Sequence, residues 1–128
     1  MPINISWKLN VQVGSDPAYA AANALQVEAL DRIIVTVPDS VTTTIDVQPG
    51  AAGKTKFLLI RSSKYDANVK YFVHDNTTTQ RSLTEALFLV EAGGLELLED
   101  AAALDKLVVD NTTNGNVVLD ILVGRDAI

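Results

Sequence analysis

The chain has 128 residues, enough for one domain with a real hydrophobic core, and its 48% apolar and 20% charged residues make a globular rather than a disordered composition. Sixteen acidic against ten basic residues leave a net charge of −6, which opposes a phosphate-backbone partner, so no nucleic-acid binding is expected. Cysteine is absent, which excludes disulfides, a cysteine nucleophile and thiolate metal sites.

At the N-terminus, Met1-Pro2-Ile3 opens neither a basic nor an apolar leader, so export by the general secretory route is not expected. No apolar run approaches the ~18 residues of a membrane-spanning helix, and no membrane partner is expected either. Residues 3–13 alternate without an error. Ile3, Ile5, Trp7, Leu9, Val11 and Val13 share one face, and polar residues fill the other. Fully extended at ~3.3 Å per residue, this stretch spans roughly 36 Å, about twice the common ~17–20 Å of a globular strand. Two readings stay open: a long core strand, or a projecting arm that pairs with a neighbour.

Gly14-Ser15-Asp16-Pro17 breaks the strand, and Asp16 before Pro17 is a good helix start. The alanine-rich residues 19–30 are therefore expected to form two or three helical turns, although no apolar stripe supports them. Four strands are predicted next. Residues 32–37 place Ile33, Val35 and Val37 on one face, and 41–48 set Val41, Thr43, Ile45 and Val47 against Thr42, Thr44, Asp46 and Gln48. Residues 56–62 are apolar on both faces in their middle (Phe57, Leu58, Leu59, Ile60), as befits a central or interface strand. Val69, Tyr71 and Val73 alternate in residues 69–74. Turn signals roughly every ten residues point to a sandwich or barrel.

Residues 81–94 can be read in two ways. Ser82 to Glu85 is a capping-box pattern, and Leu83, Ala86, Leu87 and Val90 have helical spacing; yet Leu87-Phe88-Leu89-Val90 also suits a buried strand. Residues 95–103 make a short apolar and acidic connection. The chain closes on an expected β-hairpin, with a three-residue loop Thr113-Asn114-Gly115 that pairs Val109 with Leu119 and Leu107 with Ile121. That register keeps one apolar face clean and places Gly115 at the left-handed position of a bulge turn.

Several fragments imitate chemistry. Gly50 to Thr55 resembles the end of a phosphate-binding loop, but glycine is missing at Gln48 and a strand, not a helix, follows. His74 and Asp75 are neighbours on a strand, so they point to opposite faces. Glu96, Glu99 and Asp100 lack the glycine-turned loop of a hard-cation site and read as a solvated rim. Asn76-Thr77-Thr78 and Asn111-Thr112-Thr113 match the glycosylation pattern but read as polar corners. Trp7, Tyr65 and Tyr71 suggest a sugar-stacking platform; with 5% aromatic residues, core and interface roles fit better. No catalytic residue, metal or cofactor is expected, and the chain does not read as an enzyme.

The segments LVVDN (107–111) and VVLDILVGRDA (117–127) resemble the C-terminal end of the small decoration (cement) proteins of tailed-phage capsids. The resemblance runs back over KFLLIRSS (56–63), VKY (69–71) and FLVEAGG (88–94) with Leu97 and Leu98; the N-terminal part has no such likeness. It implies a compact β-sandwich or jelly roll bound to the outside of a phage head, often as a trimer, and it favours a strand over residues 83–90. Glu91, Glu96, Glu99 and Asp100 depart from it in being more acidic.

The combined expectation is an all-β, antiparallel β-sandwich, jelly-roll-like, with at most one or two short helices and residues 1–13 as a long strand or arm. The expected function is that of a virion structural protein on the capsid exterior, made in the host cytoplasm. Its partners would be the major capsid protein and further copies of itself, a trimer being favoured. The candidate interface residues are Ile3, Ile5, Trp7, Leu9, Tyr65 and Tyr71. The alternative is a carbohydrate- or receptor-binding β-module of a phage tail or of a polysaccharide-acting enzyme.

Overall fold

The computed structural model describes residues 2–17, 19–47, 55–73, 80–90 and 106–126. These residues form ten strands: β1 (Ile3–Val11), β2 (Tyr19–Val27), β3 (Ala29–Val37), β4 (Val41–Asp46), β5 (Thr55–Ser62), β6 (Asp66–Val73), β7 (Arg81–Leu83), β8 (Leu87–Val90), β9 (Lys106–Asn111) and β10 (Val117–Arg125). Every pairing is antiparallel. The strands build one four-stranded sheet in the order β3-β10-β5-β8, a second in the order β4-β9-β6-β7, and a separate two-stranded ribbon, β1-β2.

The order of the two sheets follows from one long ribbon rolled up. Strands β3 to β6 pair in turn with β10, β9, β8 and β7, so the chain runs out along four strands and returns along their partners. Rolling that ribbon sends alternate pairs to opposite sheets, which is the jelly-roll arrangement of a β-sandwich. Alternation then fills the interior. Val117, Leu119, Ile121 and Val123 of β10 and Leu58 and Ile60 of β5 pack against Leu107 and Val109 of β9 and Val69, Tyr71 and Val73 of β6, all buried.

Two sequence expectations are corrected here. Residues 107–123 contain the expected apolar faces, but β9 and β10 do not pair with each other. Val109 lies opposite Thr43 and Tyr71, and Leu119 opposite Val35 and Ser62. The two faces meet across the interior, where Leu107, Val109 and Leu119 line the same space. Alternation specifies which face is buried, and a facing sheet satisfies it as well as a ladder partner does.

The connection between β9 and β10 is therefore a corner between sheets. Buried Asn111 holds it together: its Nδ2 donates to the carbonyls of Val37 (3.0 Å), Pro38 (3.2 Å) and Gly115 (2.8 Å). Its Oδ1 accepts from the Thr113 amide (3.0 Å) and hydroxyl (2.7 Å). The left-handed residue is Asn114 (φ 68°), not Gly115. Asparagine tolerates that region because its short amide bonds locally.

The second correction concerns residues 19–30, which are strand and not helix. Alanine is a good helix former, but β1 offers a full ladder of partners from Ile3↔Val27 to Val11↔Tyr19, and tertiary pairing overrides propensity. In the ambiguous segment, β7 and β8 are short strands separated by a bend at residues 84–85, and no helix forms over residues 81–90. His74, Asp75, the 50–54 fragment, the 76–78 sequon, the 95–103 connection and Glu91, Glu96, Glu99 and Asp100 lie outside the described residues.

Candidate functional site

Among the described residues, the β1-β2 ribbon carries an apolar face that is covered along only part of its length. Its turn is closed by Gly14 in the left-handed region (φ 57°) and by the Asp16 amide donating to the Val13 carbonyl (3.0 Å). The Gln12 side-chain amide adds bonds to the Gly14 and Asp16 carbonyls. Direct cross-strand partners share a face in an antiparallel pair. The pairing therefore puts Ile3, Ile5, Trp7, Leu9 and Val11 beside Val27, Leu25, Asn23, Ala21 and Tyr19. The other face carries Asn4, Ser6, Lys8 and Asn10 with four small or polar partners.

The proximal half of this face lies on the outer side of the β3-β10-β5-β8 sheet. Ile5, Leu25, Val27 and Phe57 form a second buried cluster, with Trp7, Leu59, Phe88, Val90 and Leu122 packed around it. This explains why β5 is apolar on both sides: Leu58 and Ile60 face the sandwich interior, while Phe57 and Leu59 face the ribbon. Gly124 allows the close approach, since a Cβ there would stand 3.0 Å from Ile5 Cδ1 and 3.1 Å from Val27 Cγ1. The Glu28 amide donates to the Arg125 carbonyl (3.0 Å) and ties the base of the ribbon to the sheet.

The contacts step outward from Gly124 on β10 to Phe57 on β5 and then to Phe88 on β8. There Trp7 meets Phe88 edge-on at 5.5 Å, and Phe88 meets Phe57 in the same way. Strand β8 is the edge of its sheet. Beyond it the apolar face continues with exposed Leu9 (48%), Val11 (45%), Val13 (51%) and Tyr19 (70%). The distal half of the ribbon is an arm.

A second exposed surface lies at the other end of the same sheet. Ile34 (60% exposed) of β3 and Val118 of β10 face outward, near Tyr65 on the β5–β6 turn. Between them Asp120 accepts from Arg32 (2.9 Å) and Arg61 (2.6 Å) across three neighbouring strands. Those two hydrogen bonds lower the Asp120 pKa to about 2. Arg61, Ser62, Ser63, Tyr65, Val118 and Asp120 line a shallow concavity.

The six expected interface residues divide accordingly. Leu9 is on the arm, Ile3 is exposed at the ribbon's base, Trp7 is half-buried at the sheet edge and Tyr65 is exposed on the second surface. Ile5 and Tyr71 are buried within the chain, Ile5 between the ribbon and the sheet and Tyr71 in the sandwich core. Burial also raises the Tyr71 pKa. Trp7, Tyr65 and Tyr71 consequently form no common platform.

Sequence reasoning missed Tyr19, Ile34 and Val118. A signal for the last two was present: each is an apolar residue at an outward position of an alternating strand. Among the described residues no three histidine, aspartate or glutamate side chains gather as a metal site, and no helix is long and apolar enough to cross a membrane. Comparison with protein-family models, curated proteins and solved structures returned no match.

Proposed function

We propose that the chain is a virion structural protein, a capsid decoration protein that binds the outside of a phage head as a homo-oligomer and stabilises the shell. One observation carries the reading: the arm's apolar face runs on past β8, with Leu9, Val11, Val13 and Tyr19 exposed and the preceding half already packed. A long apolar ribbon left in water invites aggregation unless a partner covers it. The resemblance of the closing strands to capsid cement proteins supports a shell as the setting. The carbohydrate-module alternative loses its aromatic platform, since Trp7 leans on Phe88 and Tyr71 is interior.

The mechanism is linkage. A domain that binds the assembled lattice and not the free capsid subunit stabilises the lattice by mass action, and several weak sites on one oligomer multiply through avidity. Partial exposure leaves roughly 1 kcal/mol of further burial for each of the arm's large apolar side chains. The net negative charge would keep decorated particles apart.

The test uses expanded heads of the encoding phage, prepared without this protein. The purified chain is expected to co-sediment with them and to raise the temperature at which they rupture. Heads that sediment bare, with the folded chain left in the supernatant, would falsify the reading; retention on a glycan array in that case would favour the carbohydrate module.

A further inference from the structure

We infer that the arm and the open end of the β3-β10-β5-β8 sheet are the two halves of one contact, made between copies of this chain. The distal face of β1-β2 in one copy lies on the outward surface around Ile34, Val118 and Tyr65 in another. This inference rests on the oligomeric part of the function proposed above and not on the shell.

The first argument is continuity with a contact that already exists. Within one chain the proximal ribbon packs on the outer face of this same sheet, through Ile5 and Val27 against Gly124 and Phe57. The ribbon's apolar face continues beyond that contact, and apolar groups recur at the far end of the sheet face. Neither remainder can meet the other in one chain. The Glu28–Arg125 bond and the β1-β2 register fix the ribbon's base at the Gly124 end, and the ribbon leaves the sheet past β8, away from Ile34 on the opposite edge strand.

The second argument is chemical fit. At this end of the sheet Ile34 and Val118 stand among polar Arg32, Thr36, Asp120 and Arg61, and the tyrosine and arginines beside them are residue types enriched at protein interfaces. Net charge opposes association of two copies in general, at −6 each. It does not oppose this one. On the receiving surface Arg32 and Arg61 surround Asp120, one positive charge in excess within that trio, with Lys64 and Asp66 offsetting each other beside Tyr65, while the arm's turn presents Asp16 and the arm's polar face Lys8. Attraction at the tip would thus set which end of the arm leads.

The third argument is size. Half-exposed Leu9, Val11 and Val13 with the more exposed Tyr19 offer roughly 400 Å², and a like area on the receiving sheet makes roughly 800 Å² per contact. One such contact alone falls short of the roughly 1,200 Å² of a specific stable interface. The donating and receiving surfaces differ, so each copy takes part in two contacts, which join the same two copies in a reciprocal pair and two different neighbours in a closed ring. In the reciprocal pair the two together reach the roughly 1,600 Å² of an ordinary stable complex; in a ring each interface stays near roughly 800 Å² and closure of the ring holds it.

The experiment needs no shell. Light scattering of the full chain is expected to give a multiple of 13.7 kDa, and Val11→Lys and Ile34→Lys are each expected to reduce it to the monomer with an unchanged circular dichroism spectrum. The chain has no cysteine, so a Val11→Cys chain can be mixed with an Ile34→Cys chain and treated with a short bis-maleimide. A covalent heterodimer is expected to exceed either homodimer at least tenfold. A monomer at all concentrations overturns the inference. So does an oligomer that survives Ile34→Lys and gives no heterodimer, which would place the arm on another surface. A monomer whose Val11→Lys variant loses binding to heads would assign the arm to the shell, overturning this contact while leaving the decoration reading intact.

Discussion

Strands β1 and β10 carry the same kind of sequence, nine residues with apolar side chains at every second position, and they meet opposite fates. In β10 the row Val117, Leu119, Ile121, Val123 is buried from end to end beneath the opposite sheet. In β1 the row from Ile3 to Val11 is buried at Ile5, half-buried at Trp7 and exposed from Leu9 onward. An alternating pattern therefore states that a face is to be covered, and it does not state by what. The sandwich supplies β10 with a cover. Among the described residues the arm's cover stops at β8.

The widest expected difference comes from matched truncations in the two strands. Ile121→Ala should destabilise the chain by roughly 3–4 kcal/mol, through lost transfer energy and a residual cavity, while Val11→Ala should stay within about 0.5 kcal/mol for the monomer. Urea unfolding of both at low protein concentration checks this; equal costs would mean that the arm is part of the core. Next comes the corner. Asn111→Ala takes the side-chain donor from the Val37 and Pro38 carbonyls and the acceptor from the Thr113 amide, while the Gly115 carbonyl keeps the Thr113 hydroxyl, and a loss of roughly 2–3 kcal/mol is expected.

Gly124→Val addresses the boundary between covered and uncovered ribbon. Its branches collide with Ile5 and Val27, and a cost of roughly 1–3 kcal/mol is expected from overpacking. Trp7 is the only tryptophan, so a red-shifted emission from a chain whose β-sheet spectrum is intact would report the ribbon lifting off. The smallest effect concerns the open sheet face. The Asp120 pKa is about 2 against an ordinary 3.8, so its two arginine bonds stabilise the fold fully above about pH 4. That contribution fades as the pH falls toward 2. Asp120→Asn should flatten this part of the pH profile of the urea midpoint, and added salt should shrink the difference further.

Much of the sandwich was legible because burial on one face writes a period of two into the sequence. Strands β3 to β6 and the apolar rows of β9 and β10 were all found in this way. Both-sided apolarity in β5 correctly marked a strand with neighbours on two faces. Three things were hidden, each for a physical reason. The alanines of β2 face solvent or small gaps, so they carry no periodic signal, and only the ladder with β1 makes them a strand. The sheet-crossing corner was concealed because a facing sheet and a hairpin partner demand the same alternation; Asn111, which decides between them, resembles any polar turn residue. The surface around Ile34 and Val118 was hidden because both sit at the outward positions of strands whose inward rows alone carry the period of two. Apolar residues that break it point outward and have to be explained by a partner.

The roll-up of strands also dictates an order of assembly. Strand β10 lies between β3 and β5, and β9 between β4 and β6, so neither sheet closes until the last strands have been made. The β1-β2 ribbon needs only its own seven-residue connection and can form within microseconds. The sandwich waits on encounters between residues as far apart as Arg32 and Asp120, and loop closure over such separations slows folding. A two-stranded ribbon alone is at best marginally stable in water, so the ribbon that leads the chain settles only once Phe57, Phe88 and Gly124, which come after it in the sequence, provide the surface beneath it.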